Sequence, residues 1–162
     1  MLLSKACEEG WFQADESCYM ISPTKMTWYQ GQQFCLNQRG YLAEIISGEE
    51  EDLLDQYLVQ NVLYWLGLSD SDKEGNSMFI FNIINLKELI GMFVWSRSQQ
   101  TLQYKNWNTE EPRSYEERNC VFKEFDFLPG HRGWSVYNCD SQTNANGWPI
   151  HALCQTTPAS HA

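Results

Sequence analysis

At 162 residues the chain fits one compact domain, large enough to bury roughly two-thirds of the surface its unfolded form exposes. Eleven Lys and Arg against 21 Asp and Glu leave a net charge of −10, the wrong sign for a phosphate backbone or an anionic membrane surface, so nucleic acid is excluded as a partner. A hydrophobic content of 43% with 14% aromatics is far from the composition that leaves a chain disordered.

Met1 to Ala6 is too short to hold the charged, apolar and cleavage regions of a secretory leader, so residues 1–6 read as a remnant, either of a truncated start or of a chain with a further upstream segment. A first helix is predicted over Thr24 to Asn37, where Met26, Trp28, Tyr29, Phe34 and Cys35 build an apolar stripe between Pro23 and Gly40. Ser47-Gly48-Glu49-Glu50 has the capping-box pattern and announces a second helix carrying Leu53, Leu54, Tyr57 and Leu58. Strand-like runs follow at Tyr64–Leu68, Met92–Trp95, Cys120–Phe122, Gly133–Val136 and Ile150–Cys154, separated by loops rich in Asn, Asp, Gly and Ser. Two helices followed by antiparallel strands make an α+β domain, and residues 155–162 read as a flexible tail.

Six cysteines in an acidic, aromatic-rich chain point to an oxidising, extracellular compartment and to structural disulfides. Metal is the poorer use for them, because no C-x2-4-C pair occurs and none of the three His completes an H-x3-5-H unit. Catalysis has no motif to stand on: there is no His-Glu-x-x-His, no Gly-x-Ser-x-Gly and no Gly-rich phosphate loop. An enzyme is not expected.

The fragments Cys7-Glu8-Glu9-Gly10-Trp11-Phe12, Gly40-Tyr41-Leu42-Ala43-Glu44-Ile45, Tyr64-Trp65-Leu66-Gly67-Leu68, Tyr104-Lys105-Asn106-Trp107, Glu111-Pro112, Asn119-Cys120-Val121 and Gly133-Trp134, in this order and spacing, resemble the C-type lectin-like domain family. The resemblance covers residues 7–154. It implies two helices packed on short antiparallel sheets with a long loop region, stapled by Cys7–Cys18, Cys35–Cys154 and Cys120–Cys139. It also implies an extracellular recognition module, and it places Trp28, Trp65, Trp107 and Trp134 in the core, leaving Trp148 as the better candidate for an exposed contact.

Calcium-dependent members of that family hold the ion with a Glu-Pro-Asn or Gln-Pro-Asp loop, a carboxylate just before the third-last cysteine and a Trp-Asn-Asp run. Calcium needs 6 to 8 oxygen ligands, so a cation or a methyl cannot replace one of them. Here the loop reads Glu111-Pro112-Arg113, Arg118 stands two before Cys120, and Ser135-Val136 follows Trp134. The main calcium and sugar site is therefore expected to be lost, with Glu111, Arg113 and Arg118 left as ligand-contact residues on the long-loop face. At the family's auxiliary calcium position stand Asp70 and Glu74, with Ser114 and Asn119 as weaker partners; they are read as two solvated acids with at most weak calcium binding, and no other cofactor is implied. The expected partner is a protein or another non-sugar ligand. A glycan read through a divergent site and a matrix- or mineral-associated structural role are the alternatives.

The segment Asn76 to Gly91 is out of place, because nine of its 16 residues are apolar where the family has a polar loop. It is too short to span a membrane, and Gly75-Asn76 and Ile90-Gly91 can be encoded with a GT donor and an AG acceptor. A translated intron is preferred here over a functional insertion.

Overall fold

The computed structural model describes residues 6–70, 93–108, 110–112, 119–125 and 133–158. The apolar segment 76–91 lies outside these residues, as do Glu74, Arg113, Ser114 and Arg118.

The chain opens with a hairpin, β1 (Phe12–Ala14) and β2 (Ser17–Ile21), which the periodicity had not announced. Helix α1 covers Trp28–Asn37 and so starts four residues later than predicted. The reason is local chemistry. Thr27 and Gln30 form a reciprocal capping box, while Met26 N donates to Ile150 O at 2.9 Å and stays extended. After β3 (Tyr41–Leu42), helix α2 covers Gly48–Asp55, with the Ser47 side chain accepting from Glu50 N as its spacing predicts. Leu54 and Leu58 are buried, whereas Leu53 and Tyr57 face outward, Tyr57 stacking on Phe12 at 4.3 Å.

The remaining strands are β4 (Leu63–Ser69), β5 (Val94–Trp95), β6 (Asn119–Glu124), β7 (Trp134–Asn138) and β8 (Ile150–Thr156). Their order is β1-β2-β8-β4-β6-β7, with β3 also on β8 and β5 on β4. The sheet is mixed, which corrects the expected antiparallel arrangement: β4 and β8 run parallel, Leu63 opposite Ile150 and Trp65 opposite Ala152. Parallel pairing requires a long connection, and no short-range turn signal encodes it. The last strand also takes in Gln155 and Thr156, part of the supposed tail. Gln155 is buried, accepting from Glu44 N at 2.8 Å and donating to Ser17 Oγ at 3.0 Å.

Three disulfides close as the resemblance implied: Cys7–Cys18, Cys35–Cys154 and Cys120–Cys139. One apolar cluster gathers Tyr19, Leu54, Leu66, Leu68, Trp95, Val121 and Trp134; a second gathers Trp28, Leu42, Trp65, Phe122 and Ile150 around two of the disulfides. Trp148 packs against the second cluster and is partly buried. Gly67 is required where β4 passes β3, because a Cβ there would stand 2.6 Å from the Leu42 carbonyl oxygen.

The Tyr19 hydroxyl and one Glu50 oxygen are buried without a hydrogen-bond partner of good geometry. Burial, reinforced by the Asp15 and Glu51 charges, holds the Glu50 carboxyl above the ordinary carboxylate range. Its folded pKa therefore exceeds its unfolded one, and ionising it costs stability as pH rises through the folded value. Glu50→Gln is expected to be more stable than the parent chain at neutral pH, with the gain vanishing below about pH 4, where both states are protonated. Thermal melts at the two pH values test this, and a variant whose stability tracks the parent's across that range would refute it.

Candidate functional site: the Glu111 loop against β7

The segment from Asn106 to Pro112 is laced onto β7 by its backbone. Trp134 N donates to Asn106 O at 2.8 Å, Asn108 N to Trp134 O at 2.9 Å and Glu111 N to Asn108 O at 3.0 Å. Gly133 lets the two stretches close, because a Cβ there would overlap the Asn106 carbonyl oxygen. Asn108 is the hub. Its Oδ1 accepts from Gly133 N at 2.7 Å, and its Nδ2 donates to Ser135 Oγ at 2.9 Å and to Glu124 Oε1 at 3.2 Å. The Glu111–Pro112 bond is cis, and Glu111 Oε1 accepts from Val136 N at 3.1 Å. Glu111, Ser135 and Val136, distant in sequence, thus share one patch whose polar atoms are turned on one another.

Beneath this patch Trp134 is fully buried and receives Trp95, Tyr104 and Trp107 edge-on, with ring centroids 5.7 to 5.8 Å away. Its indole N–H donates to Glu51 Oε2 at 3.0 Å. The other Glu51 oxygen accepts from the Tyr104 hydroxyl at 2.8 Å, and burial together with that carboxylate pushes the phenol up. Lys123, 0% exposed, reaches Glu51 at 2.5 Å and Asp55 at 2.7 Å. Helix α2 thereby grips the strands and loop that carry the patch. The resemblance placed Trp107 and Trp134 in the core, but the ionic part of the cluster was not anticipated, although two signals were present: Lys123 interrupts the apolar run of β6, and Glu51 and Asp55 share the helix face of Leu54 and Leu58.

Asp70 departs from its expected character. It is 3% exposed, not solvated, and its two carboxylate oxygens accept from Asn119 N at 2.9 Å and Asn119 Nδ2 at 3.1 Å, fastening the end of β4 to the start of β6. The structure therefore joins Asp70 to Asn119.

The family description "Lectin C-type domain" matches residues 24–145. The chain belongs to the C-type lectin domain family. Snaclec rhodocetin subunit gamma of Calloselasma rhodostoma is 31% identical over 143 residues, covering 84% of this chain and 90% of that protein. Human C-type lectin domain family 4 member A is 27% identical over 136 residues, covering 82% of this chain; the match spans about half, 49%, of the human protein. Among solved structures, a calcium-independent type II antifreeze protein superposes with a TM-score of 0.68 at 19% identity, over 94% of this chain and 95% of that one. Domains of this family are typically extracellular, non-enzymatic recognition modules, and they bind glycan or protein ligands. Among the described residues no helix is long and apolar enough to cross a membrane.

Proposed function

We propose that this C-type lectin domain is an extracellular recognition module that binds a protein or other non-sugar ligand without calcium at the main site. One contact carries the assignment: Glu111, the last family-type calcium ligand in its loop, turns Oε1 onto the Val136 backbone N–H. The neighbouring positions supply a Ser135 hydroxyl already bonded to Asn108 and an aliphatic Val136, while Arg113 and Arg118 bring positive charge in place of oxygen. These residues do not fit a hard cation that needs 6 to 8 oxygen ligands. The shared fold with an antifreeze protein described as calcium-independent is compatible with a domain that stands without the ion. Contact is then assigned to Glu111 with Arg113 and Arg118, which follow it in sequence, and their mixed charge selects a complementary partner surface.

The test is a thermal melt in 1 mM calcium and in chelator, paired with glycan-array binding in both. A site with a dissociation constant of about 0.01 mM would add about 2.7 kcal/mol at 1 mM free ion, so the expected coincidence of the two melts is a sharp result. A rise of several degrees lost in Glu111→Gln would restore the main site, and one lost in Asp70→Asn would establish the auxiliary site of Asp70 and Glu74. Glycan binding that persists in chelator would favour a divergent sugar site.

A further inference from the structure

A cleft of about 180 Å³ lies between α1, β3 and the turn after β5, lined by Gln32, Leu36, Tyr41, Leu42, Ser96 and Arg97. We propose that it binds a carboxylate carrying a short apolar group, as found in an apolar amino acid at a peptide C terminus or in a small free acid.

The walls are fixed by backbone bonds. Ser96 N donates to Gly67 O at 2.7 Å, and the N–H groups of Arg97 and Ser98 both donate to Glu44 Oε2 at 2.9 Å, so the buried Glu44 carboxylate holds the turn. This leaves the Arg97 side chain to lie over the Tyr41 ring, its guanidinium carbon 4.8 Å from the centroid. In a chain with nearly twice as many acids as bases, that guanidinium forms no ion pair among the described residues. Ser96, which lines the cleft, carries a second unspent group, a buried hydroxyl oxygen with no hydrogen-bond partner. Buried polar atoms are ordinarily satisfied, and one that is not marks a place for water or a ligand.

The chemistry of the lining selects the ligand. A planar guanidinium presents a fork that matches a carboxylate, and stacking on an aromatic ring orients it in advance. Ser96 and Gln32, which line the same cleft, carry a hydroxyl and an amide. Leu36, 56% exposed, together with Leu42 and the Tyr41 ring offers an apolar floor for the rest of the ligand. A liquid water takes about 30 Å³, so the cleft holds the volume of about six waters, enough for one side chain and smaller than a drug-sized site.

The whole chain, isotopically labelled, is titrated by NMR with N-acetyl-leucine and with N-acetyl-leucine amide. The acid is expected to shift the backbone signals of residues 32–42 and 94–98. The amide should bind about tenfold more weakly, because a bidentate pair between opposite charges is replaced by hydrogen bonds from the guanidinium to a neutral group. Arg97→Gln should erase the difference between the probes, and Arg97→Lys should recover only part of it, since the charge returns without the fork. An unchanged urea midpoint confirms that each variant is folded, and Ser96→Ala supplies an independent loss of affinity. A leucine-terminated tetrapeptide with a free carboxylate that binds more tightly than N-acetyl-leucine assigns the site to chain ends, whereas equal binding assigns it to small acids. Equal affinity for acid and amide, binding retained in Arg97→Gln, or no shift in this cleft at tens of millimolar of either probe overturns the proposal.

Discussion

Lys123→Met is expected to cost about 3 to 5 kcal/mol of stability, more than other single changes of comparable size in the sheet, because it strands buried negative charge. Lys123 has no exposed surface and is the cation that both Glu51 and Asp55 reach, at 2.5 and 2.7 Å. Methionine fills nearly the same space, so packing alone would predict a small loss. The carboxylate of Glu51 would keep the indole of Trp134 and the phenol of Tyr104, two neutral donors set against a full charge in the interior. Glu51→Gln added to the Lys123→Met background removes that charge and is expected to recover much of the stability, as replacement of a whole buried pair often does. Urea midpoints of the two variants decide the matter: a loss below about 1 kcal/mol for Lys123→Met would put the cluster in the class of exposed ion pairs. The loop should respond as well, since Trp134, which Glu51 holds from below, carries Asn106 and Asn108 on its backbone.

Helix α2 was legible residue by residue because its signals are local, a Ser47 cap followed by acids in the first turn and core leucines at helical spacing. The same kind of signal existed for α1 in Thr27-Trp28-Tyr29-Gln30, but the apolar residues around Met26 and the favourable Pro23 drew the boundary too early. Non-local features are a different matter. Strand β8 pairs with β2, β3 and β4, and only the last of these pairings is parallel; the register rests on contacts across the chain that periodicity does not encode. Cysteine spacing likewise shows that disulfides form but not which, so the pairing was legible only through family resemblance. At the candidate site the expected replacement of oxygen ligands came only from the resemblance to the family. The sequence could not show that Glu111 faces Val136, nor that Asn108 ties Gly133, Ser135 and Glu124 together, because each of those bonds depends on where β7 lies.

Removing the Cys35–Cys154 bridge, as Cys35→Ala/Cys154→Ala, is expected to cost about 5 kcal/mol in the chain-entropy account, because the bridge closes the longest loop in the molecule. Its ends are 119 residues apart, against 19 for Cys120–Cys139 and 11 for Cys7–Cys18. On the same account the shorter bridges contribute about 3 kcal/mol each, so the long bridge is expected to cost the most to remove. The local structure gives no reason for the bridge to be redundant. It joins the buried face of α1 to the centre of β8, where Gly31 lets the helix approach Ala152: a Cβ at Gly31 would come within 3.1 Å of the Ala152 methyl. Two indole bonds would remain to hold the helix end of the molecule, Trp28 Nε1 to Leu66 O and Trp65 Nε1 to Met26 O, both at 2.8 Å. Those bonds favour the folded state but leave the unfolded chain unconstrained, and the bridge acts on the latter. Urea unfolding of the three paired alanine variants measures the ordering directly. If loss of Cys35–Cys154 costs less than loss of either shorter bridge, the unfolded chain is already held compact by other contacts, and loop length does not govern the stability of this domain.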